Sequence, residues 1–255
     1  MLKTAMKGLF KMKMNKLKKR KKDQSYDTPE DKKLPETLTN VRQMLDSDTG
    51  QQIMEQMFMF VELEHLYESA IKEVKTKLEI LDSEFRAKYS YNPIHHIEDR
   101  LKSPQSIFEK MQRKGFPINA ESMRANILDF AGVRVVCNYI DDIYMVADLL
   151  TGQDDVNLVK RKDYIKEPKP NGYRSLHLVI ETPVYLSDKK EMVNVEVQIR
   201  TIAMDFWASL EHELKYKTDT EVSADLAGQL KDCAESIAAI DLKMQQINKT
   251  LKEIN

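Results

Sequence analysis

M-V-N-V-E-V-Q-I-R, residues 192–200, alternates without a break. Val193, Val195, Val197 and Ile199 fall on one side of an extended chain, and Asn194, Glu196, Gln198 and Arg200 on the other. A period of two marks a strand, and a single polar face marks a half-exposed sheet. Upstream, Leu176, Leu178 and Ile180 alternate with Ser175, His177 and Val179, so 175–182 is a second strand. Pairing of the two puts His177 and Glu196 into one cleft. Taken alone, the polar face of 192–200 reads as a solvated face.

Working downstream, Thr201 caps a helix running to about Tyr216, with Trp207 and Leu210 as core. Glu211, His212 and Tyr216 on neighbouring turns read as a hydrogen-bonded structural network. The C-terminus carries a heptad: Leu226, Leu230, Cys233, Ile237, Ile240, Met244, Ile247, Leu251 and Ile254. A sustained 3.5-residue repeat means helix-to-helix packing, against either the 51–89 helix or another subunit.

Working upstream, residues 162–177 read K-D-Y-I-K-E-P-K-P-N-G-Y-R-S-L-H. Lys162, Lys166, Lys169 and Arg174 supply cations, Asn171-Gly172 marks a turn, and Tyr173 follows it directly. Cations beside a flat ring suit a molecule with phosphates and a base. A solvated basic hairpin loop fits the same residues. Val156 to Lys160 forms a further strand and 141–150 a helix. Asp129 stands at the lip of a buried strand, 133–137, a frequent place for a metal ligand and also for a common cap. Residues 121–128 form a short helix.

Ser103 is a good N-cap and Pro104 a good first helical residue. On the helix they start, Ser106 and Lys110 are four apart and share a face, with Lys102 just before the cap. Free N–H groups, a hydroxyl and two lysines make a polyphosphate cradle. Residues 51–89 carry one helical stripe: Met57, Val61, Glu64, Tyr67, Ile71, Val74, Leu78, Leu81 and Phe85. It is one long helix or two with a break, ended by Tyr91-Asn92-Pro93.

The totals bound the class. A chain of 255 residues with 42% hydrophobic residues, 32% charged and only 7 glycines is a helix-rich globular protein of one or two domains. Ten of the 40 Lys/Arg lie in residues 1–22, which hold no acid, so the rest carries 30 basic against 41 acidic residues. An acidic body that binds nucleotides must concentrate its cations locally. The basic segment reads as a solubilising arm or leader, or alternatively as an attachment to an anionic surface, membrane or RNA. Residues 23–50 read as a linker. Cys137 and Cys233 exclude a disulfide scaffold and a Cys-rich metal site, and both read as inert core thiols. No apolar run reaches the length of a membrane span, and no secretory h-region is present, so the expected location is cytoplasmic.

Assembled in order, these motifs resemble those of the small alarmone synthetases, the single-domain RelA/SpoT-type (p)ppGpp synthetases. The matching parts are R-L-K-S-P-x-S-I-x-x-K at 100–110, D-F-A-G-V-R at 129–134, K-D-Y-I…P-K-x-N-G-Y-R-S-L-H at 162–177, V-E-V-Q-I-R-T at 195–201 and W-A-x-L-E-H-E-L-x-Y at 207–216. The resemblance implies an α+β fold: a mixed β-sheet of nucleotidyltransferase-like type flanked by helices, with long N- and C-terminal helices, usually in a homotetramer. It divides the chain into an arm and linker (1–50), a synthetase domain (51–220) and a C-terminal heptad helix for packing or oligomerisation (221–255). It implies transfer of the β,γ-pyrophosphate of ATP to the ribose 3′-OH of GDP or GTP, in the stringent response. By the same resemblance, Arg100 and Arg134 sandwich the adenine, and Lys102, Ser106 and Lys110 hold the donor phosphates. Tyr173 stacks on guanine and Asn171 reads its edge. Gln198 joins the guanine-nucleotide set. Lys162, Lys169 and His177 serve the acceptor phosphates and the developing charge. Asp129 and Glu196 hold Mg²⁺, with Glu196 as base for the 3′-OH.

The residue types fit such chemistry independently. Phosphoryl transfer asks for positioning and charge neutralisation, and a poor hydroxyl nucleophile is helped by a carboxylate in reach. His95-His96-Ile97-Glu98-Asp99 differs from the H-D-x-x-E-D hydrolase motif of long family members, and no hydrolase activity is expected. The same run differs from the E-F-V-T-x-R of the RelQ type, so a RelP-like enzyme without alarmone activation is expected. His95 and His96 also pose the question of a transition metal between subunits. The rival readings are a toxic relative that pyrophosphorylates tRNA or adenine nucleotides, a non-catalytic nucleotide sensor, and a heptad-driven assembly module.

Overall fold

The computed structural model describes residues 48–89, 91–217 and 224–254. The basic arm at 1–22 and the linker as far as residue 47 lie outside the described residues. The stretch 192–200 belongs to the middle strand of a five-stranded sheet. In chain order the strands are β1 (Ile94–Leu101), β2 (Ala131–Cys137), β3 (Asn157–Asp163), β4 (Leu176–Tyr185) and β5 (Lys190–Thr201). They lie side by side as β1-β2-β5-β4-β3. β2 and β5 run parallel, and the other pairings are antiparallel, which makes the sheet mixed. Six helices are described: α1 (Asp48–Tyr89), α2 (Pro104–Lys114), α3 (Ala120–Asn126), α4 (Ile140–Thr151), α5 (Ile202–Lys217) and α6 (Ala224–Ile254). None is long and apolar enough to cross a membrane.

The alternation does what it promises. Val193, Val195, Val197 and Ile199 of β5 and Leu176, Leu178 and Ile180 of β4 are buried. One buried cluster joins them to β2, α1, α2, α3 and α4. Each such side chain contributes about 1.5–3 kcal/mol on burial, and a one-residue slip would drive Glu196 and Gln198 into that core instead. Register is therefore tightly held, and it aligns the opposite face. Glu98, Arg134, Gln198, His177 and Lys162 are successive neighbours across all five strands. Arg100, Gly132, Glu196, Val179 and Lys160 form the next row. β3 is an exposed edge whose Lys160, Arg161 and Lys162 discourage pairing with another chain.

α1 is one continuous helix, and its stripe holds from Tyr67 onward. Towards its start the stripe turns: Leu63, Leu66 and Ala70 are buried, while Val61 is 58% exposed. The cause is tertiary, since Tyr67 stacks on Phe130 with centroids 4.2 Å apart and so sets the helix's rotation. Met57 lies outside the described side chains. α2 begins as expected, with Ser103 Oγ accepting from Ser106 N at 3.3 Å. It ends at Gly115, left-handed at φ 68°, where Phe116 N reaches Met111 O at 3.0 Å.

α6 turns most of its heptad ridge outward. Leu226, Ile240, Met244, Ile247, Leu251 and Ile254 are exposed, and the face turned to the domain carries Ala234, Asp241 and Gln245. Small and polar groups make this contact: Asp241 accepts from Thr201 Oγ1 at 2.6 Å, and Gln245 Oε1 accepts from Asp141 N at 3.0 Å. α6 packs on α5 and α4. Cys233, off that face, is exposed, against the expectation of a core thiol, whereas Cys137 is buried and burial pushes its thiol pKa up. Trp207 is core, but Leu210 is 44% exposed because α5 turns that side to solvent. Thr201 does cap α5, accepting from Met204 N at 3.1 Å.

Candidate active site

The polar face of the sheet holds two side-chain assemblies. The first forms where β1 passes into α2. Lys102 donates its backbone N–H to Phe130 O at 2.9 Å, which brings it beside the turn carrying Asp129. Lys102 Nζ then lies 2.7 Å from Asp129 Oδ2 and Lys110 Nζ 2.8 Å from Oδ1. Burial alone would raise the Asp129 carboxyl, but the two ammonium groups outweigh it and hold the group below its ordinary range. Ser106 Oγ sits 2.9 Å from Ser103 Oγ at the helix start. Arg100 and Arg134 are diagonal neighbours on adjacent strands and share the polar face. Arg100 is exposed, and Arg134 pairs with Glu98 Oε2 at 2.9 Å. Glu98 and Asp99 of the His95–Asp99 run thus lie on a strand and serve ion pairs, Asp99 with Lys75. His95 and His96 Nδ1 atoms are 2.8 Å apart, and no group of three or more metal-capable side chains occurs among the described residues.

The second assembly grows from the turn before β4. Asn171 Oδ1 accepts from Tyr173 N at 3.2 Å, and Gly172 N donates to Lys169 O at 2.8 Å. Gly172 has φ 89°, a region that side chains rarely adopt. It also backs onto α6 so closely that an added Cβ would fall 2.5 Å from the Ala234 Cβ. Asn171 Nδ2 donates to Glu211 Oε1 at 3.0 Å, so α5 ties the turn down; the Tyr216 side chain lies outside the described residues. Arg174 Nη1 donates to Ala234 O at 3.3 Å. Lys169 Nζ lies 4.6 Å over Tyr173 and 4.7 Å over Tyr164, with Lys162 Nζ 5.9 Å over Tyr164.

From this turn a closed ring of side chains runs along the sheet. Arg200 Nη2 donates to Gln198 Oε1 at 2.8 Å and to Tyr173 OH at 3.2 Å. Gln198 Nε2 donates to Glu196 Oε2 at 3.0 Å. Glu196 Oε1 lies 3.4 Å from His177 Nδ1, and His177 Nε2 lies 2.8 Å from Tyr173 OH. An ionised carboxylate can only accept. Nδ1 therefore carries a proton towards Glu196, while Nε2 faces the Tyr173 hydroxyl. Burial pushes the Glu196 carboxyl up, but His177 and Gln198 prevail and hold it low; the charge of Asp129 acts the other way. The two carboxylates thus sense each other across β2 and β5.

A family model described as a region found in RelA / SpoT proteins matches residues 99–221, which span both assemblies. The chain is 48% identical over 184 residues to the GTP pyrophosphokinase YwaC of Bacillus subtilis, covering 72% of this chain and 88% of that protein. This chain is a small alarmone synthetase of the RelA/SpoT family. The crystal structure of small alarmone synthetase 2 from Bacillus subtilis matches it at TM-score 0.69 and 45% identity, over 75% of this chain and 98% of that one. Small alarmone synthetase 1 from the same organism, bound to its product pppGpp, matches at TM-score 0.68 and 34% identity, over 74% and 97%. The higher identity to YwaC agrees with the RelP-like expectation.

Every site residue expected of the synthetase lies in or beside one of the two assemblies. Arg200 and Asp205 were not among them. Arg200 is only 3% exposed, yet it joins Tyr173 to Gln198 and pairs with Asp205 Oδ1 at 3.1 Å. The signal for Arg200 was present, since it shares the polar face of 192–200. Nothing in the helical pattern of 201–216 marks Asp205, because its role comes from the angle at which α5 leaves β5.

Proposed function

We propose that this small alarmone synthetase transfers the β,γ-pyrophosphate of ATP to the ribose 3′-OH of GDP or GTP. The observation that carries the residue assignments is the pairing of an ionised Glu196, bonded to His177 and Gln198, with an ionised Asp129 clasped by Lys102 and Lys110. Lys102, Lys110 and Ser106 exchange their present partners for the donor phosphates, and Arg100 and Arg134 hold the adenine between guanidinium planes, which stack on bases better than ammonium groups do. A guanine stacked on Tyr173 takes the place of the Lys169 ammonium over the ring, releasing Lys169 to join Lys162 at the acceptor phosphates. Asn171 and Gln198 read the base and its sugar side. Glu196 takes the 3′-OH proton as that oxygen attacks the β-phosphorus, the bond to the α-phosphate oxygen breaks, and AMP leaves. His177 supports the carboxylate and faces the charge that develops.

The donor set fits Mg²⁺. Asp129 and Glu196 offer hard oxygens in ionised form, and the described residues form no closed metal cage. Mg²⁺ is characteristically held by one or two carboxylates together with substrate phosphates. Bound there, it would neutralise charge on the donor oxygens. Outside residues 1–22 the chain carries 30 basic against 41 acidic residues, which makes this local cation supply the more necessary.

Labelled ATP incubated separately with GDP, GTP, AMP and tRNA tests the reading. Label should move to the guanine nucleotides as a 3′-pyrophosphate. Transfer to tRNA or AMP in preference would identify one of the toxic relatives instead. Stimulation by added pppGpp would contradict the expected absence of alarmone activation.

A further inference from the structure

Asp205 stands between the two assemblies. Its Oδ1 atom lies 3.1 Å from Arg200 Nη1 and 3.6 Å from Arg134 Nη1. One carboxylate oxygen thus serves two guanidinium groups that belong to opposite subsites. Arg134 has a second carboxylate, Glu98, at 2.9 Å, and Glu98 in turn lies 3.5 Å from His96 Nε2. Arg200 is far more dependent on Asp205. It is almost fully buried, and its remaining bonds are to the neutral Tyr173 and Gln198; among the described residues the buried Nε atoms of both arginines lack a hydrogen-bond partner. A buried cation with one shared counter-charge is sensitive to who else uses that charge. Burial and the neighbouring Arg134 charge both work against the Arg200 cation, and Asp205 works for it.

We infer that Asp205 is a positioning residue that couples the two nucleotide subsites, so that donor binding at Arg134 strengthens acceptor binding at Tyr173 and Gln198. The inference rests on the subsite reading given above. Adenine stacking on Arg134 draws that guanidinium from Asp205. The carboxylate then serves Arg200 alone, and Arg200 holds Tyr173 and Gln198 more firmly. A coupling of this kind is reciprocal: the factor by which ATP tightens GDP binding equals that by which GDP tightens ATP binding. It lets the enzyme present its acceptor site when the donor is in place.

The test measures the Kd for GDP by calorimetry, alone and with saturating non-transferable ATP analogue. In the wild type, the analogue should tighten GDP by about fivefold or more, within the usual range of coupling between sites. In Asp205→Asn, GDP should bind more weakly and its response to the analogue should fall towards none. Arg134→Ala gives a readout that a purely structural role would not. Without Arg134, Asp205 already belongs to Arg200, so GDP alone should bind more tightly than to the wild type while analogue binding is lost. Thermal melts confirm that each variant is folded, and Arg134→Ala carries the test should Asp205→Asn fail to fold. If Arg134→Ala loses the analogue and leaves GDP affinity unchanged or weaker, the bridge is overturned and the subsite reading stands. If Arg134→Ala keeps the analogue, the subsite reading is overturned and the bridge with it.

Discussion

The clasp around Asp129 and the ring through Glu196 lie on one face of one sheet, yet they are held by different means. At Asp129 a single carboxylate lies between two ammonium groups on flexible stems, 2.7 and 2.8 Å away. At Glu196 five side chains close on one another, and the guanidinium among them is buried. Lysine is a compact point charge that can follow a phosphate as it moves. A closed network fixes directions, and it is costly when partly broken. The clasp is suited to gathering charge, and the ring to holding one orientation. The contrast tells which changes should cost binding and which should cost chemistry.

The largest effect should come from Glu196→Gln. The amide keeps the shape and the bond to Gln198 but cannot take a proton, so kcat should fall by at least about 10²-fold, the usual minimum for losing a general base. Nucleotide affinities should stay near wild type. Single-turnover transfer measured beside equilibrium binding separates the two, and undiminished turnover would remove Glu196 from the role. Next comes Tyr173→Ala. Loss of a stacking platform worth about 1–3 kcal/mol per base should raise the KM for GDP or GTP roughly 5- to 150-fold. An increase confined to ATP would erase the donor–acceptor distinction.

The smallest effect sharpens the clasp. In the fold Asp129 is held below its ordinary carboxylate range, first against burial and then by Lys102 and Lys110. A depressed group contributes stability that is complete above its unfolded pKa of about 3.9 and is lost as pH falls through the lower folded value. Lys102→Gln should therefore cost on the order of 1 kcal/mol near neutral pH, and this difference should vanish in strong acid. Urea unfolding at both pH values checks it. A difference that persists in acid would mean that Lys102 acts by packing.

Much of this was legible in the sequence, for physical reasons that differ by element. Strands β4 and β5 could be read because a two-residue period has only one geometric meaning on a half-buried sheet. The start of α2 was equally clear, since Ser103 and Pro104 are a cap and a first residue and little else. The α6 ridge did not reveal how the helix meets the domain. Its 3.5-residue repeat is real, but Ala234, Asp241 and Gln245 take the contact with the domain, and small or polar residues leave no apolar period to find. The Val61 side of α1 failed similarly, because the stacking of Tyr67 on Phe130 is a tertiary event. At the site, residues named by their chemistry were found together. Asp205 was not foreseen, because an acid in the first turn of a helix is ordinarily just a favourable charge there.

Gly172 and Ala234 meet across a gap with no room for a further methyl group, and Arg174 bonds the Ala234 carbonyl from sixty residues away in the chain. The wall behind the Asn171–Gly172 turn is thus supplied by the last helix. Trimming the chain from its C-terminal end should first show itself as poorer choice among nucleotides, with heat resistance a separate matter.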